Sequence, residues 1–244
     1  MIKAKISSVE SLGTMDGPGI RYVVFMQGCH LRCQYCHNPE TWSENGGKEQ
    51  LSAKELIERV KKFKPYFGGE GGITFSGGEP LLQPEFLVEA LKLCRLERIN
   101  SAIDTAGVGK GDYEEILSLA DLIILDVKAT DKEEYKFITG QSMAEFSKFF
   151  SLCKKLKKRL WVRQVIVPGI NDDFEHMDKL ATFLKDTPNI EKVELLPYKT
   201  IGVFKYDTLG ISYRLAGTPE MDEARCGELE KYLQTKLETN KTMK

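Results

Sequence analysis

Six short apolar runs, five of them rich in β-branched residues, recur along this chain with room for a helix between most of them. They are "RYVVFMQ" from Arg21, "GITFS" from Gly72, "SAIDT" from Ser101, "LIILDVK" from Leu122, "LWVRQVIVP" from Leu160 and "KVELLP" from Lys192. The intervening segments show helical spacing. "SAKELIERVKKF" opens on Ser52 as an N-cap and places Leu56, Val60 and Phe63 on one face. "PEFLVEALKLCRL" has Pro84 in its first turn and aligns Phe86, Leu87, Ala90, Leu93 and Cys94. "YEEILSLA", "MAEFSKFFSLCKKL", "HMDKLATFLK" and "MDEARCGELEKYLQTKL" continue the alternation. Strands alternating with helices predict an α/β chain on a parallel sheet with right-handed crossovers. Six units fall short of an eight-fold barrel, so an open, partial (β/α)6 TIM-like barrel is expected. No segment reads as a linker and no repeat is visible. One domain across residues 1–244 is expected, with its core over about 15–235 and the polar tail "ETNKTMK" from Glu238 frayed.

Charge and composition narrow the function classes. The 244 residues carry a net charge of −1, which gives no electrostatic reason to expect nucleic acid or an anionic membrane as partner. The opening "MIKAKISSVESLG" lacks the apolar core of a signal peptide, and no run reaches membrane-span length. A cytoplasmic setting is expected, where thiols stay reduced. The six cysteines are then better candidates for metal or catalysis than for disulfides.

Three of them, Cys29, Cys33 and Cys36, fall within eight positions of "GCHLRCQYCHNPETW", at the C-terminal end of the first apolar run. Three chemistries compete for C-x3-C-x2-C. "CQYCH" fits the haem attachment pattern but leaves Cys29 idle. Structural zinc could use the three thiolates with His30 or His37, although such sites usually join two separated ligand pairs. An iron–sulfur cluster held by three thiolates leaves one iron without a cysteine, and the spacing favours this third reading. Barrel enzymes keep their chemistry at the C-terminal ends of their strands, where this loop would lie. Cys94, Cys153 and Cys226 fall in expected helices and read as small buried residues.

Other segments carry weaker signals. In "SGGEP", Ser76, Gly77 and Gly78 let bare backbone approach a ligand closely, although a Gly-Gly turn after a strand is commonly only a turn. "FGGEGG" from Phe67 reads as a flexible connection. "AGVGKG" from Ala106 has the spacing of neither common nucleotide loop and reads as a plain one. Asp126 and Lys128 are two apart and share a face, Asp104 ends the neighbouring strand, and Arg163 lies mid-run. These four could line a barrel mouth as a site or form a structural ion-pair network.

C-x3-C-x2-C with Tyr35 before its last cysteine, followed by "SGGEP" after the next strand, resembles the radical S-adenosylmethionine (SAM) superfamily. The segments "ESLGTMDGPGIRYVVFMQGC", "CHNPETW", "LDVK" and "VELLPY" stand in the order found in its glycyl-radical-enzyme activases, so the resemblance runs from Ser7 to Tyr198. It implies a [4Fe–4S] cluster on Cys29, Cys33 and Cys36 whose open iron chelates SAM. It also implies reductive cleavage of SAM and abstraction of a hydrogen atom from a glycine of a partner enzyme, with pyruvate formate-lyase as that partner. An electron donor such as flavodoxin or ferredoxin is implied as well. By the same resemblance Tyr35 and His37 flank the adenine, Ser76, Gly77, Gly78 and Glu79 face the SAM ammonium, and Asp126, Val127, Lys128 and Arg163 complete the cofactor site. Asp104, Thr105 and Asp126 are placed to hold a monovalent cation, and Asp16 of "DGPGIR" to contact the partner. Where the family pattern has a histidine touching SAM, this chain has Lys199. Only 35 residues separate Cys36 from Gly72, none a cysteine, so the ferredoxin-like insertion of several other activases has no counterpart. The competing readings are activation of a different glycyl-radical enzyme and a zinc-bearing interaction module without catalysis.

Overall fold

The computed structural model describes residues 2–242, with side chains through residue 238. Along the chain run β1 (Lys3–Gly13), β2 (Arg21–Met26), β3 (Glu49–Ser52), α1 (Ala53–Lys61), β4 (Gly72–Gly77), α2 (Pro84–Leu96), β5 (Asn100–Thr105) and α3 (Tyr113–Leu119). There follow β6 (Leu122–Asp126), α4 (Lys132–Thr139), α5 (Ala144–Lys155), β7 (Leu160–Ile166), α6 (Phe174–Leu184), β8 (Ile190–Pro197), α7 (Val203–Leu209) and α8 (Glu223–Thr242). The strands form one sheet in the order β3-β1-β2-β4-β5-β6-β7-β8. From β2 to β8 every pairing is parallel, and these six strands are the six apolar runs. The sheet ends at β3 and β8 without closing, as a partial barrel does.

Two strands, β1 and β3, stand outside the expected pattern. They pair antiparallel, β1 with both β2 and β3, and extend the sheet beyond its parallel part. β1 buries Ala4 and Ile6 but is polar and half-exposed beyond them, so it carries little of the alternation that marks a strand. The helices α4 and α7 were not expected either, although α4 has a clear signature. Asp131 caps its start by accepting from the Glu133 and Glu134 amides, and Gly140 ends it at φ 71°. The tail from Glu238, expected to fray, is helical as far as Thr242, and Met243 and Lys244 lie outside the described residues.

Local chemistry fixes the remaining helices where the spacing placed them. Ser52 and Glu55 form a reciprocal capping box at the start of α1, with the Ser52 amide 2.8 Å from Glu55 Oε2. One face of the sheet packs the main apolar core beneath the helices. The other holds a small cluster of Ala102, Leu122 and Ile124 with Trp161 against it. By the two-residue strand period, Asp104, Asp126 and Arg163 share that second face, which is the inside of the barrel.

At the opposite end of the barrel, Arg21 at the start of β2 is completely buried. Its Nε donates to Thr74 Oγ1 at 2.6 Å, and Nη2 donates to the Ile73 carbonyl at 2.8 Å and Asn100 Oδ1 at 2.9 Å. Nη1 donates to the carbonyls of Pro18 and Glu70, both at 3.1 Å. Burial pushes its pKa down to about 10, so it stays charged at neutral pH. One guanidinium thus ties β2, β4, β5 and the 14–20 loop together at the barrel floor. A lysine has three donors on a single nitrogen and cannot span these acceptors. Arg21→Lys is expected to lower unfolding stability by about 3 kcal/mol. Chemical denaturation measures this, and a loss under roughly 1 kcal/mol would show that the fork geometry is dispensable.

Candidate functional site

The Cys29, Cys33 and Cys36 thiols line one cavity of about 310 Å³, together with Tyr35, His37, Ser76, Gly77, Gly78, Asp104, Thr105, Asp126, Lys128 and Asp16. A larger cavity, of about 640 Å³ between the end of α6, β8 and α8, holds none of the expected site residues. The three cysteines are free, as are Cys94, Cys153 and Cys226, which are buried in helices as expected.

The cysteine loop is held from three sides, mostly by backbone. Its Gly28 amide donates to the Thr41 carbonyl at 2.8 Å, and Cys29 to Trp42 at 3.3 Å. The Arg32 and Gln34 amides donate to the carbonyls of Thr139 and Ile138, at the end of α4, at 2.8 and 3.0 Å. The Gln34 side chain adds a bond to the Phe137 carbonyl at 2.7 Å, and Tyr206 Oη donates to the Cys36 carbonyl at 2.9 Å. On the third side, the amides of Gly78 and Glu79 donate to Met26 and Gly28. Here the need for glycine differs from the expected one. A Cβ on Gly78 would lie 2.2 Å from the Gly28 carbonyl oxygen, and one on Gly77, at φ +104°, 2.4 Å from the Met26 amide. The two glycines close backbone on backbone at the cavity wall.

Glu79 also takes a different place. It is fully buried and does not line the cavity. Its Oε1 accepts from Thr105 Oγ1 at 2.5 Å and the Leu81 amide at 3.1 Å, and Oε2 accepts from the Ala106 amide at 2.9 Å. It staples the "SGGEP" turn to the end of β5. Burial pushes its pKa up to about 7 against these bonds. Asp104, bonded by Ser76 Oγ at 2.8 Å, is likewise pushed to about 7, by burial first and by the neighbouring Asp126 second, with Arg163 opposing.

Lys128 Nζ donates to Asp126 Oδ2 at 2.7 Å and lies 5.6 Å from the centre of the Tyr35 ring. Burial disfavours the ammonium, and the Asp126 carboxylate with its neighbours more than restores it. Besides Glu79, three further expected cofactor residues stand off the cavity. Val127 is fully buried on the other face of the sheet. Arg163 is spent on Glu194 Oε2, at 2.9 Å, and on the Met15 carbonyl, so it grips the 14–20 loop. Lys199 turns outward to Glu223 at 2.9 Å and Glu220 at 3.7 Å, while its carbonyl accepts from His37 Nε2 at 2.9 Å. Asn38, Trp42, Leu196 and Pro197 line the cavity without having been singled out, although all four lie in the quoted segments "CHNPETW" and "VELLPY".

The donor set suits a multi-iron cluster better than a single ion. His30 is half-exposed and turned to Glu44 at 2.7 Å, outside the cavity. Among the described residues no three of His, Cys, Asp and Glu converge as a mononuclear site requires. A cubane cluster makes no such demand, since each thiolate takes its own iron. Burial raises all three thiols, Cys33 to about 11, so they hold their protons until iron displaces them.

The profile of the Radical SAM superfamily matches residues 23–183. The chain is 52% identical to the pyruvate formate-lyase-activating enzyme of Clostridium pasteurianum, over 98% of this chain and 100% of that one. It is 40% identical to the enzyme of the same name from Staphylococcus epidermidis, over 96% of each chain. Among solved structures, a domain of pyruvate formate-lyase-activating enzyme from Bacteroides vulgatus aligns with a TM-score of 0.55 at 24% identity, over 68% of this chain and 94% of that one. Streptococcus suis SuiB, bound to its precursor peptide SuiA, aligns with a TM-score of 0.70 at 16% identity, over 90% of this chain and 46% of that one. These two likenesses concern the fold.

The buried carboxylates generate a pH prediction. A group whose folded pKa is raised holds its proton in the fold at pH values where the unfolded chain has lost it. The stability it contributes is full below its unfolded value of about 4.5 and falls as pH rises through about 7. Metal-free protein is expected to lose roughly 1–3 kcal/mol from Glu79 over that window. Glu79→Gln should flatten the decline, leaving the part due to Asp104. Denaturant titrations at pH 5 and 7.5 measure both slopes, and equal slopes would dismiss the assignment.

Proposed function

The chain belongs to the radical SAM superfamily, and from that premise we propose that it activates pyruvate formate-lyase by placing a radical on a glycine of that enzyme. The observation that carries the reading is three free thiols around one cavity at the mouth of an open barrel, with no fourth cysteine beside them among the described residues. Cys29, Cys33 and Cys36 would hold a [4Fe–4S] cluster. When bound, that cluster would supply the one-electron chemistry for reductive cleavage of SAM and removal of a hydrogen atom from the glycine.

The chain's own residues bind, orient and exclude water. Tyr35 and His37 form one wall, the "SGGEP" backbone another, and Lys128 with Asp126 offers a charge-assisted pair for a zwitterionic ligand. Asp104, Thr105 and Asp126 form the proposed seat of a monovalent cation, supported by two carboxylates on one cavity. Glu79, Val127 and Arg163 act on the site through what they hold. Asp16 lines the cavity from a loop gripped by Arg163 and by Thr74, whose Oγ1 donates to the Asp16 carbonyl at 2.7 Å. This position supports its role as a partner contact. One catalytic domain, a cytoplasmic setting, and a small one-electron donor of the flavodoxin or ferredoxin kind complete the reading. No helix among the described residues is long and apolar enough to cross a membrane.

The test is anaerobic. Reduced, cluster-loaded protein with SAM and pyruvate formate-lyase from the same source is expected to give a glycyl radical signal by electron paramagnetic resonance. Deuterium on the target α-carbon should pass into 5′-deoxyadenosine. Cleavage of SAM without a radical on that partner would direct the search to another glycyl-radical enzyme. Lys128→Ala is expected to weaken SAM binding by about 2 kcal/mol while the visible spectrum of the cluster persists. Unchanged affinity with reduced folding stability would make the Asp126–Lys128 pair structural.

A further inference from the structure

Four buried side-chain polar atoms lack a hydrogen-bond partner among the described residues, and two are phenol oxygens in the same region, those of Tyr35 and Tyr135. Tyr35 lines the cavity. Tyr135, on α4, has no exposed surface at all, and nothing in the function argued so far uses it. An unpaired buried hydroxyl costs roughly 1–3 kcal/mol, so two in one neighbourhood call for an acceptor.

The placement of Tyr135 shows where that acceptor would be. Ile138 and Thr139, one turn further along the same buried face of α4, accept the Gln34 and Arg32 amides of the cysteine loop. Tyr135 therefore packs directly behind that loop. Its ring leans on Phe146 with centroids 5.7 Å apart, which keeps the hydroxyl from turning to solvent. Cys33 stands between Arg32 and Gln34, the two residues held by this end of α4, and Lys128, Glu79 and Cys29 are the other charged or ionisable groups that act on the hydroxyl. Lys128 has no acceptor to offer, and Glu79 already accepts from Thr105, Leu81 and Ala106. The sulfurs remain.

We propose that the Tyr135 hydroxyl donates a hydrogen bond to iron-bound sulfur at the Cys33 corner of the cluster, and so acts as a positioning residue that sets the cluster's reduction potential. The inference rests on the cluster assignment above. A donor to cluster sulfur stabilises the more negative, reduced state, so its loss makes the cluster harder to reduce.

Reconstituted enzyme tests this. Tyr135→Phe keeps the ring and removes only the donor. It should bind iron and sulfide at the parent level, show a more negative midpoint potential, and alter the resonance spectrum of the reduced cluster, with and without SAM. Without metal, its melting point should equal or exceed the parent's, because an unpaired hydroxyl has been removed. Site-specific 3-fluorotyrosine at 135, a stronger donor, should move the midpoint the other way, and it decides the matter if the phenylalanine variant fails to hold a cluster. A midpoint and spectrum unchanged from the parent in these variants would overturn the proposal, as would an effect confined to SAM affinity. If the parent protein itself takes up no cluster, it is the functional reading that fails.

Discussion

The amides of Arg32 and Gln34, donating to the last carbonyls of α4, decide whether three thiols can share one cavity. The segment 28–37 carries three cysteines and gives the apolar core only Leu31 and Tyr35. Its conformation must come from hydrogen bonds to elements that are themselves well packed. The C-terminal carbonyls of a helix are suited to this, because four of them lack partners within the helix. The cysteine loop uses those of α4 on one side and the "SGGEP" backbone on the other. Both elements are anchored in turn, α4 by Tyr135 and Ile138 in the core and "SGGEP" by the Glu79 staple.

The inside of the barrel is polar because it is a site at one end and a clamp at the other. Arg21 closes the floor, Arg163, in register with Asp126, holds the 14–20 loop, and Asp104, Asp126 and Lys128 line the mouth. Between floor and mouth only Ala102, Leu122, Ile124 and Trp161 form an apolar cluster. Each buried charge is expensive alone, and each but Asp104 has a strong partner, whether a carboxylate, an ammonium or a set of carbonyls. A sheet shared in this way gains little apolar burial on its inner face. It depends on the outer core under the helices, where most of the buried apolar residues lie.

The six parallel strands were legible because strands covered by helices on one face and a packed barrel on the other read as apolar runs. The cysteine loop was legible because its chemistry demands fixed spacing. What the sequence concealed was held by backbone or by shape. β1 and β3 pair as polar ribbons, and β3 has only four residues. α4 is not among the expected helices although Asp131, Gly140 and a buried face of Tyr135, Ile138 and Thr139 mark it within only eight residues. Gly77 and Gly78 are expected to let backbone approach a ligand, and the close approach the structure shows is of one backbone to another. Glu79, Val127, Arg163 and Lys199 share this difficulty. Their segments carry the family pattern, but a strand's two-residue period or a staple's bonds decide which way each side chain turns.

The electrostatics of the mouth agree with what it is proposed to receive. Asp104 accepts from Ser76 and lies near Asp126, while the nearest ammonium, on Lys128, is bound to Asp126. Asp104 accepts no hydrogen bond from a cation, and burial together with Asp126 drives it toward the neutral acid against the opposing charge of Arg163. A monovalent cation, or a ligand bearing positive charge, would restore its carboxylate form on entering. Arg163, two strands away on β7, opposes this rise without completing the balance. Its guanidinium is committed to Glu194 and to the Met15 carbonyl, and releasing it would free the loop that carries Asp16. Charge balance at Asp104 is thereby left to what binds at the mouth, while Arg163 is kept for the wall and Lys128 stands paired with Asp126.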